Sequence, residues 1–153
     1  MRIRLLATSL GSFLITLAAM PGAQAALGGD VKSVLRDHAT LQTEDRVTSM
    51  DQYELHEAVR SDGSRVRQYV SVATGRVFRI SFQGPQSPTL SALLGEFNAR
   101  YLAAARAHRG GHHVLTINEP DLVLTILRTP RGWQGQAYLP QAVPAGLDGG
   151  AVR

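Results

Sequence analysis

Three runs between Tyr53 and Phe82 alternate apolar and polar residues, and two glycine-bearing gaps separate them. Successive side chains of a strand point to opposite faces, so this period of two commits the middle of the chain to strands. The runs are Tyr53 to Arg60, Arg65 to Val72 and Arg76 to Phe82. Asp62-Gly63 in the first gap favours a two-residue type I′ turn, whose central residues both need positive φ. Such a turn sets Arg60 opposite Arg65, Val59 opposite Val66, Glu57 opposite Gln68 and Leu55 opposite Val70. In the second gap, Ala73-Thr74-Gly75 is expected as a three-residue loop with Gly75 left-handed, which pairs Val70 with Phe78. A two-residue loop would pair Val70 with Arg79 and turn a charge into the core, because a slip of one residue exchanges the faces. The expected buried rows are Leu55-Val70-Phe78 and Val59-Val66-Phe82.

Gly84-Pro85 ends this meander. Ser87 is placed to cap a helix with Pro88 at its first position. Leu90, Leu93, Leu94, Phe97, Tyr101, Ala104 and Ala105 then recur at helical spacing, one apolar stripe that runs to about His108, with Gly110-Gly111 able to close the helix. Three further strands are expected: His112 to Ile117, Leu122 to Arg128 and Trp133 to Leu139, separated by Asn118-Glu119-Pro120-Asp121 and Thr129-Pro130-Arg131-Gly132. The fold class is α+β: an antiparallel sheet of a three-strand meander and about three further strands, with a long helix packed on one face. Residues 52–140 form the domain, and residues 141–153 an irregular tail. Residues 26–51 are expected as a flexible Ala26-Leu27-Gly28-Gly29 start, a short helix from Asp30 to about Ala39, and a polar loop from Thr40 to Asp51.

The first 25 residues are set apart. Arg2 and Arg4 precede an uncharged, mostly apolar run from Leu5 to Met20, then a Pro21-Gly22 break and Ala23-Gln24-Ala25. This is the order of a cleavable secretion signal, and the apolar run is short for a bilayer span. Periplasmic or secreted localisation follows, with no membrane span after cleavage. The chain holds 16 basic and 12 acidic residues. Two of the basic residues and no acidic one lie in the segment 1–25, which leaves residues 26–153 at a net charge of +2. So small a charge gives no reason to expect nucleic acid as a partner. The chain has no cysteine, which excludes disulfides, thiol catalysis and lipid attachment at a cysteine.

The segments Ala26-Leu27-Gly28-Gly29, Tyr53-Glu54-Leu55-His56-Glu57, Arg67-Gln68-Tyr69-Val70-Ser71, Gly75-Arg76-Val77-Phe78, Gln83-Gly84-Pro85, Leu93-Leu94-Gly95 and Gly135-Gln136-Ala137-Tyr138-Leu139-Pro140 together carry a resemblance. The chain resembles a family of small exported proteobacterial proteins known only as a domain of unknown function. Phe82 stands where Trp is common in that family. The resemblance implies export and a single domain, and it brings no activity and no catalytic residue.

No catalytic, metal or cofactor site is expected from the residues. There is no Gly-x-Ser-x-Gly elbow, phosphate loop or dinucleotide fingerprint. His108, His112 and His113 lie close together, but Gly110 and Gly111 interrupt the spacing at which two imidazoles share a metal. Positive charge at a helix C-terminus explains His108 with Arg100, Arg106 and Arg109. The outer face of the meander is the candidate ligand surface. The register above sets His56, Tyr69 and Arg79 side by side, with Arg67 beside them and Arg60 facing Arg65. Like charges opposite one another destabilise a sheet unless an anion matches them. Glu57 and Gln68 fall on the inner face in that register.

The expected function is therefore that of an exported, non-enzymatic binding or accessory domain of the bacterial envelope. It would bind an anionic small molecule or envelope polymer through His56, Arg67, Tyr69 and Arg79. The alternatives are an envelope hydrolase using Glu57 and a histidine, or an assembly partner that offers a strand edge to an envelope protein.

Overall fold

The computed structural model describes residues 26–30, 44–108 and 113–150. Among these residues seven antiparallel strands make one sheet: β1 Glu44–Ser49, β2 Tyr53–Val59, β3 Arg65–Ser71, β4 Val77–Gly84, β5 Val114–Glu119, β6 Leu122–Thr129 and β7 Gly132–Tyr138. Their order across the sheet is β1-β2-β3-β4-β7-β6-β5. The chain climbs through β1 to β4, crosses by a helical connection to the far edge, and returns so that β7 pairs with β4. The sheet is larger than expected by β1, which forms from residues expected as loop. The short helix expected from Asp30 to Ala39 lies outside the described residues, except that Asp30 bridges Arg76.

The register between β2 and β3 differs by one residue from expectation. Ala58 lies opposite Val66, Glu57 opposite Arg67, His56 opposite Gln68 and Leu55 opposite Tyr69. The turn holds three residues rather than two. Arg60 N–H bonds Ser64 O at 2.9 Å, Gly63 has φ +82°, and the Asp62 carboxylate accepts the Ser64 N–H at 2.8 Å. This loop places an acid opposite an arginine where a two-residue turn would place Arg60 against Arg65. Between β3 and β4 the expected register holds from Val66↔Phe82 to Tyr69↔Arg79, then shifts so that Val70 meets Val77. Phe78 is the extra residue of a bulge, and it points to the same side as Arg79.

One face of the sheet carries the main core. The row His56-Gln68-Ile80-Ala137-Leu124-Ile117 crosses six strands on this side. The helical connection covers it from β3 outward: α1 Leu90–Leu94, a 3₁₀ turn Gly95–Phe97 and α2 Asn98–Ala107. Leu90 and Leu94 are buried, and Leu93, Phe97, Tyr101 and Ala104 pack against Val70, Val77, Ile80, Phe82, Leu122, Leu124 and Ile126. The helix starts at Leu90, past Ser87 and Pro88, and its N-cap Thr89 makes no side-chain capping bond. It is interrupted at Gly95, which has φ +54° and whose added Cβ would come within 2.5 Å of the Ala26 Cβ. That close approach exists because residues 26–29, expected to be flexible, are fixed. Leu27 is 2% exposed, its N–H bonds Leu93 O at 2.8 Å, and Gly28 N–H bonds Val77 O at 2.8 Å. Leu27 is thus a plug between helix and sheet, worth about 1.5–3 kcal/mol of apolar burial.

The other face has its own smaller core. Tyr69 and Phe78 are fully buried there, with Tyr53 and Leu55 beside them and Ala142, Val143 and Leu147 of the tail on top. The rings of Tyr53 and Phe78 meet edge to face with centroids 6.2 Å apart. The tail is irregular, with one 3₁₀ turn at Pro140–Ala142, and it lies on this second core. The tail explains the register. A single apolar face would put Leu55 and Phe78 on the helix side, but the tail gives them a second apolar cover on the other. Among the described residues no helix is long and apolar enough to cross a membrane.

Candidate functional site

On the tail side, two polar rows continue past the small core. One runs Glu57-Arg67-Ser81-Gln136-Thr125 and the next Arg65-Gln83-Gln134-Leu127, each crossing from the meander strands through β4 and β7 to β6. They line an open groove of about 510 Å³, bounded by Arg79 and Tyr69 and by Gly150 of the tail. The alternation that buries Ile80, Phe82, Gly135 and Ala137 on the helix side presents Ser81, Gln83, Gln134 and Gln136 on this one.

Arg79 sits at the end of the groove. It is 5% exposed, and its guanidinium carbon lies 5.3 Å from the centroid of the Tyr69 ring. One terminal nitrogen donates to the Gly149 carbonyl and the other to Gln136 Oε1 at 2.9 Å. Among the described residues its Nε has no hydrogen-bond partner, and no carboxylate forms an ion pair with it. Burial pulls this guanidinium below the usual arginine range, while Tyr69, Tyr138 and Asp148 pull the other way. Arginine stays protonated nonetheless. A charge taken out of water costs several kcal/mol unless an opposite charge meets it.

Arg67 and Arg65 stand two residues apart on β3 and share one acid. Arg67 Nε donates to Glu57 Oε2 at 2.6 Å, and Arg65 Nη1 lies 3.7 Å from the same oxygen. The bond to Glu57 raises the Arg67 guanidinium above its ordinary range. The buried Nε of Arg65 has no hydrogen-bond partner among the described residues. Arg65 and Arg67 thus share the Glu57 carboxylate, and Arg79 lies in the field of Asp148 without an ion pair to it, so guanidinium groups outnumber the described carboxylates here. Planar forked donors of this kind match carboxylate and phosphate oxygens.

Of the four residues expected to form the ligand surface, the structure brings together Arg67, Tyr69 and Arg79. His56 is turned to the opposite face, where it is 2% exposed with its Nε2 3.6 Å from Glu54 Oε2. The one-residue shift between β2 and β3 sends it there. The same shift brings Glu57 out of the inner face to the tail side beside Arg67, away from Gln68, and separates Arg60 from Arg65. A hydrolytic pair of Glu57 with the adjacent His56 would span the sheet, and Glu57 is already engaged by two arginines. Among the described residues no cluster of three His, Cys, Asp or Glu could hold a metal, and His112 lies outside them. Ser81, Gln134 and Gln136 were not singled out from sequence. Ser81 stands opposite Arg67 in the β3–β4 register, but the place of Gln134 and Gln136 beside them depends on β7 pairing with β4, strands some fifty residues apart.

A family model described as "Protein of unknown function (DUF2844)" matches residues 23–152. No curated protein and no solved structure matches the chain.

Proposed function

We propose, for a chain that belongs to the DUF2844 family of proteins of unknown function, that the groove on the tail side is an anion-binding site and the protein an exported, non-enzymatic binding or accessory domain of the cell envelope. The observation that carries the binding reading is Arg79: a buried guanidinium that forms no ion pair with a described carboxylate, at the end of a groove that already holds Arg65 and Arg67. An entering anion supplies the missing countercharge in a place where water screens it poorly. Export rests on the signal-like order of residues 1–25, which lie almost wholly outside the family match. Strand addition at an edge is the weaker alternative. The terminal strand β1 carries Glu44, Asp45 and Arg46, and charge on an edge strand discourages pairing with another chain.

The test follows the Nε–H resonances of Arg65 and Arg79 by NMR while citrate is added. Saturable shifts of both, weakened by salt and lost in Arg67→Ala but kept in the exposed control Arg46→Ala, support the site. Resonances that stay in place up to high citrate sink it. The denatured mass of chain recovered from a periplasmic extract checks the other half: loss of residues 1–25 supports export, and an intact mass overturns it.

A further inference from the structure

We infer that the anion taken by the groove is a carboxylated oligosaccharide, a chain of acidic sugars lying across strands β3, β4, β7 and β6. This inference rests on the anion-binding reading and narrows it. Its ground is the shape and chemistry of the groove beyond the arginines. A site for a small, densely charged anion such as phosphate gathers its donors around one point. Here the polar groups are drawn out instead in two parallel rows. From Arg67 the first passes through Ser81 and Gln136 to Thr125, and from Arg65 the second passes through Gln83 and Gln134. Three steps between neighbouring strands, each about 4.8 Å, give the first row a length of about 14 Å, and successive rows on one face lie about 7 Å apart. That is the footprint of a short linear chain and exceeds that of a single ion.

The composition of the rows also changes along them. Positive charge is confined to the β3 and β4 end, where Arg65, Arg67 and Arg79 lie. Toward β6 the groups are neutral amides and hydroxyls, which both donate and accept. A sugar acid presents the same mixture, a carboxylate on a ring whose other polar groups are hydroxyls. Two competing chemistries fit less well. A nucleotide needs an open aromatic face for its base, and the Arg79 guanidinium already covers one face of Tyr69, which is itself buried. An acidic peptide read by its side chains needs cationic groups repeated along its length, and toward β6 the lining is neutral, with Gln134, Gln136, Thr125 and Leu127. Gln83 and Gln134 lie opposite one another on β4 and β7, both exposed, so they are free to turn toward a ligand and their replacement leaves the core intact.

The experiment is isothermal titration calorimetry of the full chain with tetragalacturonate and tetraglucuronate, set against their methyl esters, inorganic phosphate and tetraglutamate. The expected result is saturable binding of at least one acidic tetrasaccharide, absent for the esters. The double variant Gln83→Ala/Gln134→Ala should weaken it roughly tenfold through the loss of two side chains' hydrogen bonds. If phosphate or tetraglutamate binds as tightly as the sugars, or the double variant binds the sugars unchanged, the saccharide inference falls while the anion site stands. If none of the anions gives heat, both fall together.

Discussion

Arg100 shows how one side chain ties two elements. From the first turn of α2 it reaches the β5–β6 turn and grips Asp121 through both terminal nitrogens, at 2.9 and 2.8 Å, with Glu119 at 3.0 Å. The hydrogen bonds from Arg100 hold the Asp121 carboxyl below its ordinary value of 3.8. A carboxyl depressed in the folded state lends stability that is whole above its unfolded pKa and is lost as pH falls through the lower folded one. Asp121→Asn should therefore melt below the parent at about pH 6, with the gap closing at a pH well below 3.8. Because the pair is exposed, the gap should also shrink in high salt. Melting curves at the two pH values check this, and a gap that persists in acid would assign the loss to something other than the ion pair. The glycines act at the same scale. A Cβ on Gly135 would lie 2.4 Å from the Phe82 ring, so the ring occupies the space that a side chain would fill.

At the scale of elements, the tail between Pro140 and Gly150 makes the second face possible. It covers Tyr69 and Phe78 with Ala142, Val143 and Leu147, and brings the Gly149 carbonyl to Arg79. Ending the chain after Ala142 should cost about 2–5 kcal/mol, as for loss of large apolar contacts from a core. The urea midpoint reads this, and an unchanged midpoint would mean that the tail only rests on the sheet. The strands and the helix were legible in sequence because periods of 2 and 3.6 leave a mark in every few residues. The register of β2 on β3 was not, because Asp62-Gly63 fits a two-residue and a three-residue turn alike. The Asp-Gly preference for a type I′ turn, with the mostly apolar face that it makes, points to the two-residue one. The strand β1 was hidden for a related reason: Glu44 to Ser49 has one apolar residue, Val47, and that one is 48% exposed, so no alternation marks it. The helix start was misjudged because Ser87-Pro88 has a capping sequence without making the cap. Arg67, Tyr69 and Arg79 lie on one face as expected because the β3–β4 register holds where they pair, and His56 leaves that face with the β2–β3 shift.

For the whole molecule, the seam between β4 and β7 is decisive. It joins a four-strand meander to a three-strand one, and the groove straddles it, with arginines from the first part and amides from β7 of the second. No local pattern announces such a pairing, so the site could not be assembled from sequence even with each strand correctly placed. The other long-range tie is Leu27, and it bears on the order of events in a cell. If the bond after Ala25 is the one cut on export, scission falls two residues from a side chain sealed in the core, whose own N–H and that of Gly28 are locked to Leu93 and Val77. A protease needs a slack, extended chain. Maturation should then come first and folding second, with the newly freed end tucked in last, as a stopper closes a flask after filling. Leu27→Asp, which cannot fold stably around a buried charge, should still be trimmed at the parent's rate in a pulse-chase experiment. Slower trimming would reverse the order and make the folded domain the form that the protease meets.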